Sequence, residues 1–170
     1  MPQPYPLSLI NSDCLNFIQA IGLYSPSFKL FYEVVHATGC RFEELTDISR
    51  FQMDGEERII FQPGKGNNER ILYVADLPEK FVTMVETQES YFDRVDYDTN
   101  RRYFRAHYPR PVYLNSGGFL GKRVGIYIFR YRMFKQLYAD GVSPGDIGII
   151  MGEVDLKNVN GYIDADLIYN

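Results

Sequence analysis

Apolar residues near the start of the chain recur at spacings of three and four, the period of an amphipathic helix. Cys14, Phe17, Ile18 and Ile21 follow this spacing. Ser12 stands just before them, and serine is a preferred residue at helix starts because its hydroxyl accepts a backbone hydrogen bond. The pattern predicts a first helix capped by Ser12, with these apolar side chains facing a core.

A second helix is indicated by its two ends. Ser25 before Pro26 is a typical start, and Gly39 is a typical residue just after a helix end. A short helix is expected next, over residues 41–47. The apolar side of the second helix would carry Phe28, Phe31, Val34 and Val35.

The pattern then changes to that of strands. Residues 51–53 and 59–61 are apolar segments on either side of Asp54 and Gly55, which predicts a hairpin with a glycine turn. Residues 63–68 form a second turn, and 70–74 would be a third strand. A small antiparallel sheet therefore interrupts a helical chain.

Helical patterns return after this sheet. Pro78 can start a helix that carries Phe81, Val82 and Val85 on one side. Residues 90–118 are aromatic and charged, and within them we assign only one helix, near 99–106.

Three more helices are expected toward the end of the chain. A long one covers about 122–139 and ends before Gly141. Ser143 before Pro144 repeats the serine–proline start, and a last short helix would hold Tyr162. The predicted fold class is mainly α with a small three-stranded antiparallel sheet.

Composition describes an ordinary soluble globular domain. The chain has 170 residues, 45% of them apolar, which suits one domain with a real core. No segment has the length and apolar character of a membrane span or a secretory signal. Cys14 and Cys40 are far apart, as are His36 and His107, so we expect no metal site, no cofactor and a reducing, cytoplasmic compartment in a bacterial, archaeal or virus-infected cell.

The net charge of −4 argues mildly against nucleic-acid binding. The basic residues are nevertheless clustered along the chain, and such clusters are either a DNA-binding surface or a solvated helix face. The first cluster is Arg101, Arg102, Arg105 and Arg110, and the second is Lys122, Arg123, Arg130, Arg132 and Lys135.

Several separated segments contain residues that together suit metal-free cleavage of DNA. Arg41 lies in residues 38–45 (TGCRFEEL), and Lys65 lies in 64–70 (GKGNNER). Two arginines suit a phosphate because the guanidinium fork matches paired oxygens and stays charged. A lysine can protonate a leaving oxygen, and a tyrosine nucleophile keeps the bond energy in a phosphotyrosine link.

These segments resemble the boxes of the tyrosine recombinases, the phage integrase family, in type, order and spacing. The first two resemble the family's TG-x-R-xx-EL box and its GKG-xx-ER hairpin, with Lys65 placed 24 residues after Arg41. Arg130 takes the place of the second family arginine, in residues 127–131 (YIFRY). Glu153 follows 23 residues later, and Tyr162 nine residues after that.

The resemblance implies a role for each of these residues. Arg41 and Arg130 would hold the scissile phosphate, and Lys65 would protonate the departing 5′ oxygen. Tyr127 would donate a hydrogen bond, and Tyr162 would attack to give a 3′-phosphotyrosine intermediate. The implied function is that of a site-specific recombinase or integrase domain of a mobile element.

Two positions depart from the family pattern. Tyr127 stands where the family has its first histidine, a replacement also found in telomere resolvases, which make hairpin DNA ends. Glu153 stands where the family has a second histidine or a tryptophan, and an ionised carboxylate cannot donate to a phosphate. Glu153 is either protonated when DNA is bound, or it points away and binds a lysine or arginine, or it weakens the activity of the enzyme.

These departures leave two alternatives to a recombinase. One is a catalytically degenerate module for DNA binding or assembly, which Glu153 and the acidic net charge favour. The other is a hairpin-forming enzyme similar to telomere resolvases, which Tyr127 favours.

The resemblance runs from Pro6 to Tyr162, so residues 1–170 are expected to be one catalytic domain without the family's N-terminal core-binding domain. The expected partners are double-stranded DNA and further recombinase subunits on that DNA, with no membrane. A helical tail would place Ile163 and Leu167 on one face. We expect this tail to pack on its own domain and the chain to be a monomer without DNA.

Overall fold

Helices form most of the structure, which is a computed structural model that describes residues 1–64, 67–92 and 95–170. The helices are α1 (Leu7–Gly22), α2 (Pro26–Thr38), α3 (Phe42–Leu45), α4 (Glu79–Thr87), α5 (Tyr97–His107), α6 (Ile128–Ala139), α7 (Pro144–Met151) and α8 (Leu156–Ile163). The strands are β1 (Gln3–Pro4), β2 (Phe51–Asp54), β3 (Arg58–Phe61), β4 (Arg70–Tyr73), β5 (Val112–Ser116), β6 (Phe119–Arg123) and β7 (Leu167–Tyr169).

The predicted three-stranded sheet is present, in the order β2-β3-β4 with all neighbours antiparallel. Phe51 pairs with Phe61 across the hairpin, and their rings stack at 4.4 Å between centroids. Gly55 takes a φ of 75° in the turn, a conformation that glycine adopts without strain. The predicted fold class, mainly α with this small sheet, is confirmed.

A second sheet, which the sequence pattern did not predict, has the order β1-β7-β5-β6. The β5–β6 hairpin turns at Gly117 and Gly118, which have φ values of 62° and 89°. β7 pairs on one side with β5 and on the other with β1. The chain's end is thereby joined to its own beginning and middle, so the tail packs on its own domain as expected.

Two predicted helical segments were wrong. The helix predicted over 122–139 begins only at Ile128, because the start of that range belongs to β6. Gly125, with a φ of 60°, separates strand from helix. The tail does not continue α8 as a helix; Leu167 lies in β7, where the backbone of β5 offers an open row of hydrogen-bonding groups.

Two of the three predicted serine caps are present. Ser25 and Ser143 accept backbone hydrogen bonds at the first turns of α2 and α7, as predicted. Ser12 does not cap α1, which begins at Leu7 directly after Pro6. The carbonyl of Pro6 accepts the first helical hydrogen bonds, so Ser12 lies within the helix.

Two apolar clusters stabilise this arrangement. The larger one packs α1, α2, α5 and α6 around rings such as Phe17, Tyr32 and Phe129. The smaller one lies between α6, α7 and α8 and includes Phe134 and Val159. Each large side chain buried in this way contributes about 1.5–3 kcal/mol, so the smaller cluster fixes α8 firmly against α6.

Candidate active site

The turn after α2 places the first predicted catalytic arginine. Gly39 ends α2 with a φ of 67°, a backbone conformation that glycine adopts without the strain that a side chain would bring. Arg41 follows at the start of α3 and keeps about a quarter of its side chain exposed. The glycine turn therefore directs Arg41 toward the surface beside α6 and α7.

Arg130, in the first turn of α6, is almost completely buried. Its Nη1 donates to the carbonyl of Gly39 at 2.9 Å, which fixes the guanidinium against the turn that carries Arg41. Its Nε donates to the hydroxyl of Tyr162 at 3.2 Å, and its Nη2 donates to Oε1 of Glu153 at 2.7 Å. Arg130 thus connects the turn after α2 with α7 and α8.

Glu153 joins the two arginines. It lies just after Gly152, which ends α7, and it is buried. The same carboxylate oxygen accepts from Arg130 and, at 2.8 Å, from Nη2 of Arg41. Of the options left open by the sequence, the structure places Glu153 in ion pairs with arginine.

Tyr162 is held on α8 by its ring. The ring stacks on Phe134 at 4.3 Å with only 8° between the planes, and Tyr131 meets it edge-on at 5.0 Å. The side chain is partly exposed, so the hydroxyl lies at the surface next to Arg130. The structure therefore brings Arg41, Arg130 and Tyr162 together, as the sequence predicted.

Tyr127 lies at the edge of this group, at the end of the short 3-10 turn Gly125–Tyr127. Its pKa is raised, mainly by burial and further by Glu43 and Tyr162, while Arg41 lowers it. These influences place Tyr127 within electrostatic range of the arginine and of the tyrosine. Its hydroxyl stays protonated at neutral pH and can donate a hydrogen bond.

Lys65, the predicted general acid, lies outside the described residues. The described residues on either side of it are bound near the arginines. The backbone N–H of Gly64 donates to Glu44 at 3.4 Å, and that of Asn68 donates to the carbonyl of Gly152 at 2.8 Å.

Glu44 is a residue of the site whose role the sequence did not reveal. Its carboxylate is buried and accepts from the backbone N–H of Arg41 at 2.8 Å. Burial, the largest influence, lowers the pKa of Arg41, but Glu44, then Tyr162 and then Glu153 act the other way, and the net result is a raised pKa. Arg41 is therefore cationic at every physiological pH.

Arg70 is a second such residue, and it supports the site from beneath. It is buried, and burial lowers its pKa. Its Nε donates to the carbonyl of Ile150 at 2.9 Å, and its Nη2 donates to that of Thr38. The only sequence signal was its place at the end of the segment 64–70.

The first basic cluster is mostly exposed. Arg101, Arg102 and Arg105 lie on the outer face of α5, whereas Arg110 forms a 2.7 Å ion pair with buried Asp13. The second cluster is not a solvated helix face. Arg130 and Arg132 are buried, and Lys135 donates to two carbonyls after α8, those of Ile163 and Ala165.

An open cavity of about 510 Å³ borders Arg41, Glu153 and Tyr162. Lys157 and Asn158 of α8 line it as well. A larger groove, of about 1070 Å³, lies between α2 and α4, but its charged residues are of both signs and give no preference for an anion. The smaller cavity is lined by two cations, Arg41 and Lys157, against one carboxylate, Glu153, and is the better candidate for a phosphate-bearing substrate.

Among residues 1–64, 67–92 and 95–170, no group of three or more His, Cys, Asp or Glu side chains is arranged to hold a metal ion. In the same part of the chain, no helix has the length and hydropathy of a membrane span. Among these described residues, the side chains that meet at the site include the guanidinium groups of Arg41 and Arg130, the carboxylates of Glu44 and Glu153 and the phenol of Tyr162.

Comparison with solved structures assigns the fold to the tyrosine recombinase catalytic domains. The XerH site-specific recombinase, solved with a palindromic difH substrate in a post-cleavage complex, matches with a TM-score of 0.57 at 16% identity, over 91% of this chain and 48% of that one. The XerA recombinase matches with a TM-score of 0.54 at 16% identity, over 89% of this chain and 58% of that one.

The chain thus spans about half the length of the recombinases it matches, and the likeness is one of fold. No protein-family model and no curated protein sequence matches the chain.

Proposed function

We propose that this chain is the catalytic domain of a site-specific DNA recombinase that cuts and rejoins DNA through a phosphotyrosine at Tyr162. The observation that carries the proposal is the 3.2 Å contact between the Tyr162 hydroxyl and Nε of Arg130. A phosphate held by that guanidinium would lie next to the phenol oxygen. Reacting groups that are held in contact in this way gain much of the rate that an enzyme needs.

The proposed reaction exchanges one phosphodiester for another. The Tyr162 oxygen forms a bond to phosphorus as the phenol gives its proton to water in the open cavity, and the bond from phosphorus to the 5′ oxygen breaks. Lys65 would give its proton to that leaving oxygen. Rejoining is the reverse, in which a 5′ hydroxyl attacks the phosphotyrosine and Tyr162 leaves.

Arg41 and Arg130 would stabilise the charge that develops on the phosphate in the transition state. Such electrostatic contributions are typically about 3–4 kcal/mol for a well-placed donor. The carbonyl of Gly39 already positions the Arg130 guanidinium through Nη1, a contact that a bound phosphate would leave in place.

A DNA duplex is the proposed substrate, with other recombinase subunits as partners on it. The exposed face of α5 carries Arg101, Arg102 and Arg105, and this helix begins beside the site, where the Tyr97 ring lies 5.8 Å from Phe42. Cations placed there would contact phosphates next to the one being cut.

One observation favours a different function. Glu153 is ion-paired with both arginines, and a site closed permanently in this way would bind DNA without cutting it. The second candidate is therefore a catalytically inactive module for DNA binding or assembly.

A trapping experiment separates the two candidates although the target sequence is unknown. A pool of randomised duplexes carries a 5′-bridging phosphorothiolate at one position, so that the thiol released by cleavage rejoins poorly and the covalent adduct accumulates. A recombinase gives an adduct that survives denaturing electrophoresis, and the attached DNA reveals the target. An inactive module retains duplexes on a filter but gives no adduct, and hairpin ends among the products would indicate a resolvase-like reaction.

A further inference from the structure

The carboxylate of Glu153 lies where the substrate phosphate of the proposed reaction has to bind. Nε and Nη2 of Arg130 form one edge of its guanidinium, the edge that grips an anion with two hydrogen bonds. Nε points at the Tyr162 hydroxyl, and Nη2 points at Oε1 of Glu153. A phosphate that receives this edge next to the tyrosine would therefore compete with Glu153.

The other edge of the Arg130 guanidinium, formed by Nη1 and Nη2, is already engaged at Nη1. Its Nη1 donates to the carbonyl of Gly39, and the guanidinium is buried. Arg41 is also engaged, because its Nη2 donates to the same oxygen of Glu153. One carboxylate oxygen thus occupies both arginines at 2.7 and 2.8 Å, as a phosphate oxygen would.

The surroundings allow the carboxylate to leave without unfolding the chain. The backbone of Glu153 is fixed by a 2.9 Å hydrogen bond from its N–H to the carbonyl of Gly148, so only the side chain has to rotate. The open cavity begins at Glu153, and Lys157, four residues further along, lines the same cavity from α8. Its ammonium group is exposed and can pair with a carboxylate that turns outward.

We propose that Glu153 is an internal substitute for the substrate phosphate, and that Lys157 receives the carboxylate when a phosphate displaces it. In the DNA-free protein Glu153 holds the arginines in place and offsets part of their positive charge. On binding, the phosphate takes the arginines and Glu153 pairs with Lys157. Lys157 is a positioning residue in this scheme, which rests on the proposed function for its biological meaning but can be tested by anion binding alone.

Inorganic phosphate is the probe for the first test. Its affinity is measured from the increase in melting temperature with phosphate concentration, for the parent, Glu153→Gln and Glu86→Gln. Glu86 is exposed on α4, so its variant makes the same charge change away from the site. Removing a charged competitor should raise the affinity of Glu153→Gln for phosphate by about tenfold or more, and Glu86→Gln should match the parent.

A glutamine can still accept from the arginines, so Glu153→Gln is expected to fold. If Glu153→Gln nevertheless fails to fold, a measurement on the parent protein still tests the proposal. The side-chain carboxyl ¹³C signal of Glu153 should shift as phosphate saturates the protein. An unchanged signal at saturation, or a folded Glu153→Gln that binds phosphate no more tightly than the parent, overturns the proposal.

The role of Lys157 is tested by a double-mutant cycle. Lys157→Gln should weaken phosphate binding by about two- to fivefold in the parent, the range of an exposed ion pair, and by nothing in the Glu153→Gln background. Equal weakening in both backgrounds would mean that Lys157 contacts the phosphate itself. The proposed movement of the Glu153 carboxylate from the arginines to Lys157 would then be wrong.

The outcomes also separate this inference from the proposed function. If Glu153→Gln binds phosphate more tightly but no variant forms a DNA adduct, the recombinase proposal fails and the internal substitute stands. If the parent forms an adduct but Glu153→Gln gains no affinity, the internal substitute fails and the recombinase proposal stands.

Discussion

At the scale of single residues, the ring and the hydroxyl of Tyr162 make separate contacts. The ring packs on Phe134, while the hydroxyl accepts from Arg130. Tyr162→Phe keeps the packing and removes the proposed nucleophile. We expect it to retain the affinity of the parent for duplex DNA within about twofold and to form no covalent adduct in the phosphorothiolate assay.

Tyr131→Phe is the matched control for that variant. Tyr131 lies against the same ring at 5.0 Å and lines the same cavity, but its hydroxyl has no role in the proposed reaction. It should form the adduct at nearly the parent's rate. If Tyr131→Phe loses the adduct and Tyr162→Phe keeps it, the nucleophile is Tyr131 and not Tyr162.

His36 makes the stability of the fold sensitive to pH. Burial, and then the nearby cation of Arg132, lowers the pKa of His36 from 6.5 to about 4. The unfolded chain therefore takes up a proton near pH 6.5 while the folded chain does not, so stability falls as the pH drops toward 4. The loss attributable to His36 should be on the order of 2 kcal/mol.

Urea unfolding at pH 7.5, 6 and 5 measures this contribution. His36→Gln cannot take up the proton, so its free energy of unfolding should fall less steeply over that range than that of the parent. Parallel pH profiles for the two proteins would contradict the assignment.

The proximity of Arg41, Arg130 and Tyr162 could be predicted from the sequence, but the ion pairs that hold them could not. Arg41, Arg130 and Tyr162 follow a spacing along helices and turns that brings them together in the fold. The ion pairs of Glu153 depend on three segments meeting in space, and no local pattern encodes such a meeting. The sequence could only state that pairing with a cation was one of its options.

At the scale of elements, two glycines near the site differ in what they require. Gly152 ends α7 with a φ of 71°, and a Cβ there would lie 2.6 Å from the carbonyl oxygen of Asn68. Gly161 lies in α8, and a Cβ there would meet nothing within 4 Å. The first glycine is needed for the close approach of α7 to the segment before β4, and the second is not.

Substitution by alanine should separate these glycines by melting temperature and urea unfolding. Gly152→Ala should lose about 2–4 kcal/mol of stability through the left-handed backbone and the steric overlap. Gly161→Ala should be neutral or more stable by up to about 1 kcal/mol, because alanine favours a helix over glycine. A Gly152→Ala protein as stable as the parent would mean that α7 and Asn68 do not approach so closely.

The exposed arginines of α5 form the surface that the proposed function would place against DNA. Changing Arg101, Arg102 and Arg105 together to glutamine should weaken duplex binding and make it less sensitive to salt. Each lost phosphate contact lowers the slope of log affinity against log salt by about 0.9. The control protein carries Lys29→Gln and Lys80→Gln, because these lysines share their groove with carboxylates. An equal loss of DNA affinity in both proteins would argue against a specific role for α5.

Most elements with strong local signals were predictable, although the β5–β6 hairpin was missed despite its turn at Gly117 and Gly118. The missed strand β7 instead depends on distant partners. The β2–β3 hairpin has a glycine turn between apolar segments, and α2 has a serine cap and a terminal glycine. β7 has three residues and becomes a strand because β1 and β5 lie on either side of it. The start of α6 was placed too early because the pattern of 119–123 allows a helix as well as an edge strand.

At the scale of the whole molecule, the strand pairing of the tail bears on assembly. β7 satisfies its hydrogen bonds within its own chain, and Leu167 and Ile168 are buried there. We therefore expect a monomer in the absence of DNA, with a mass by light scattering near 19.8 kDa at micromolar concentration. A stable dimer whose β7 pairs with the partner's β5 would contradict this expectation.

The central claim, a covalent link between DNA and Tyr162, is tested most directly by locating the link itself. The trapped adduct is digested with nuclease and protease, and tandem mass spectrometry identifies the residue that retains the nucleotide. We expect a phosphodiester remnant on Tyr162 in the parent and none in Tyr162→Phe. A remnant on another residue, such as Tyr127 or Tyr131, or DNA binding by the parent with no remnant on any residue, would contradict the claim.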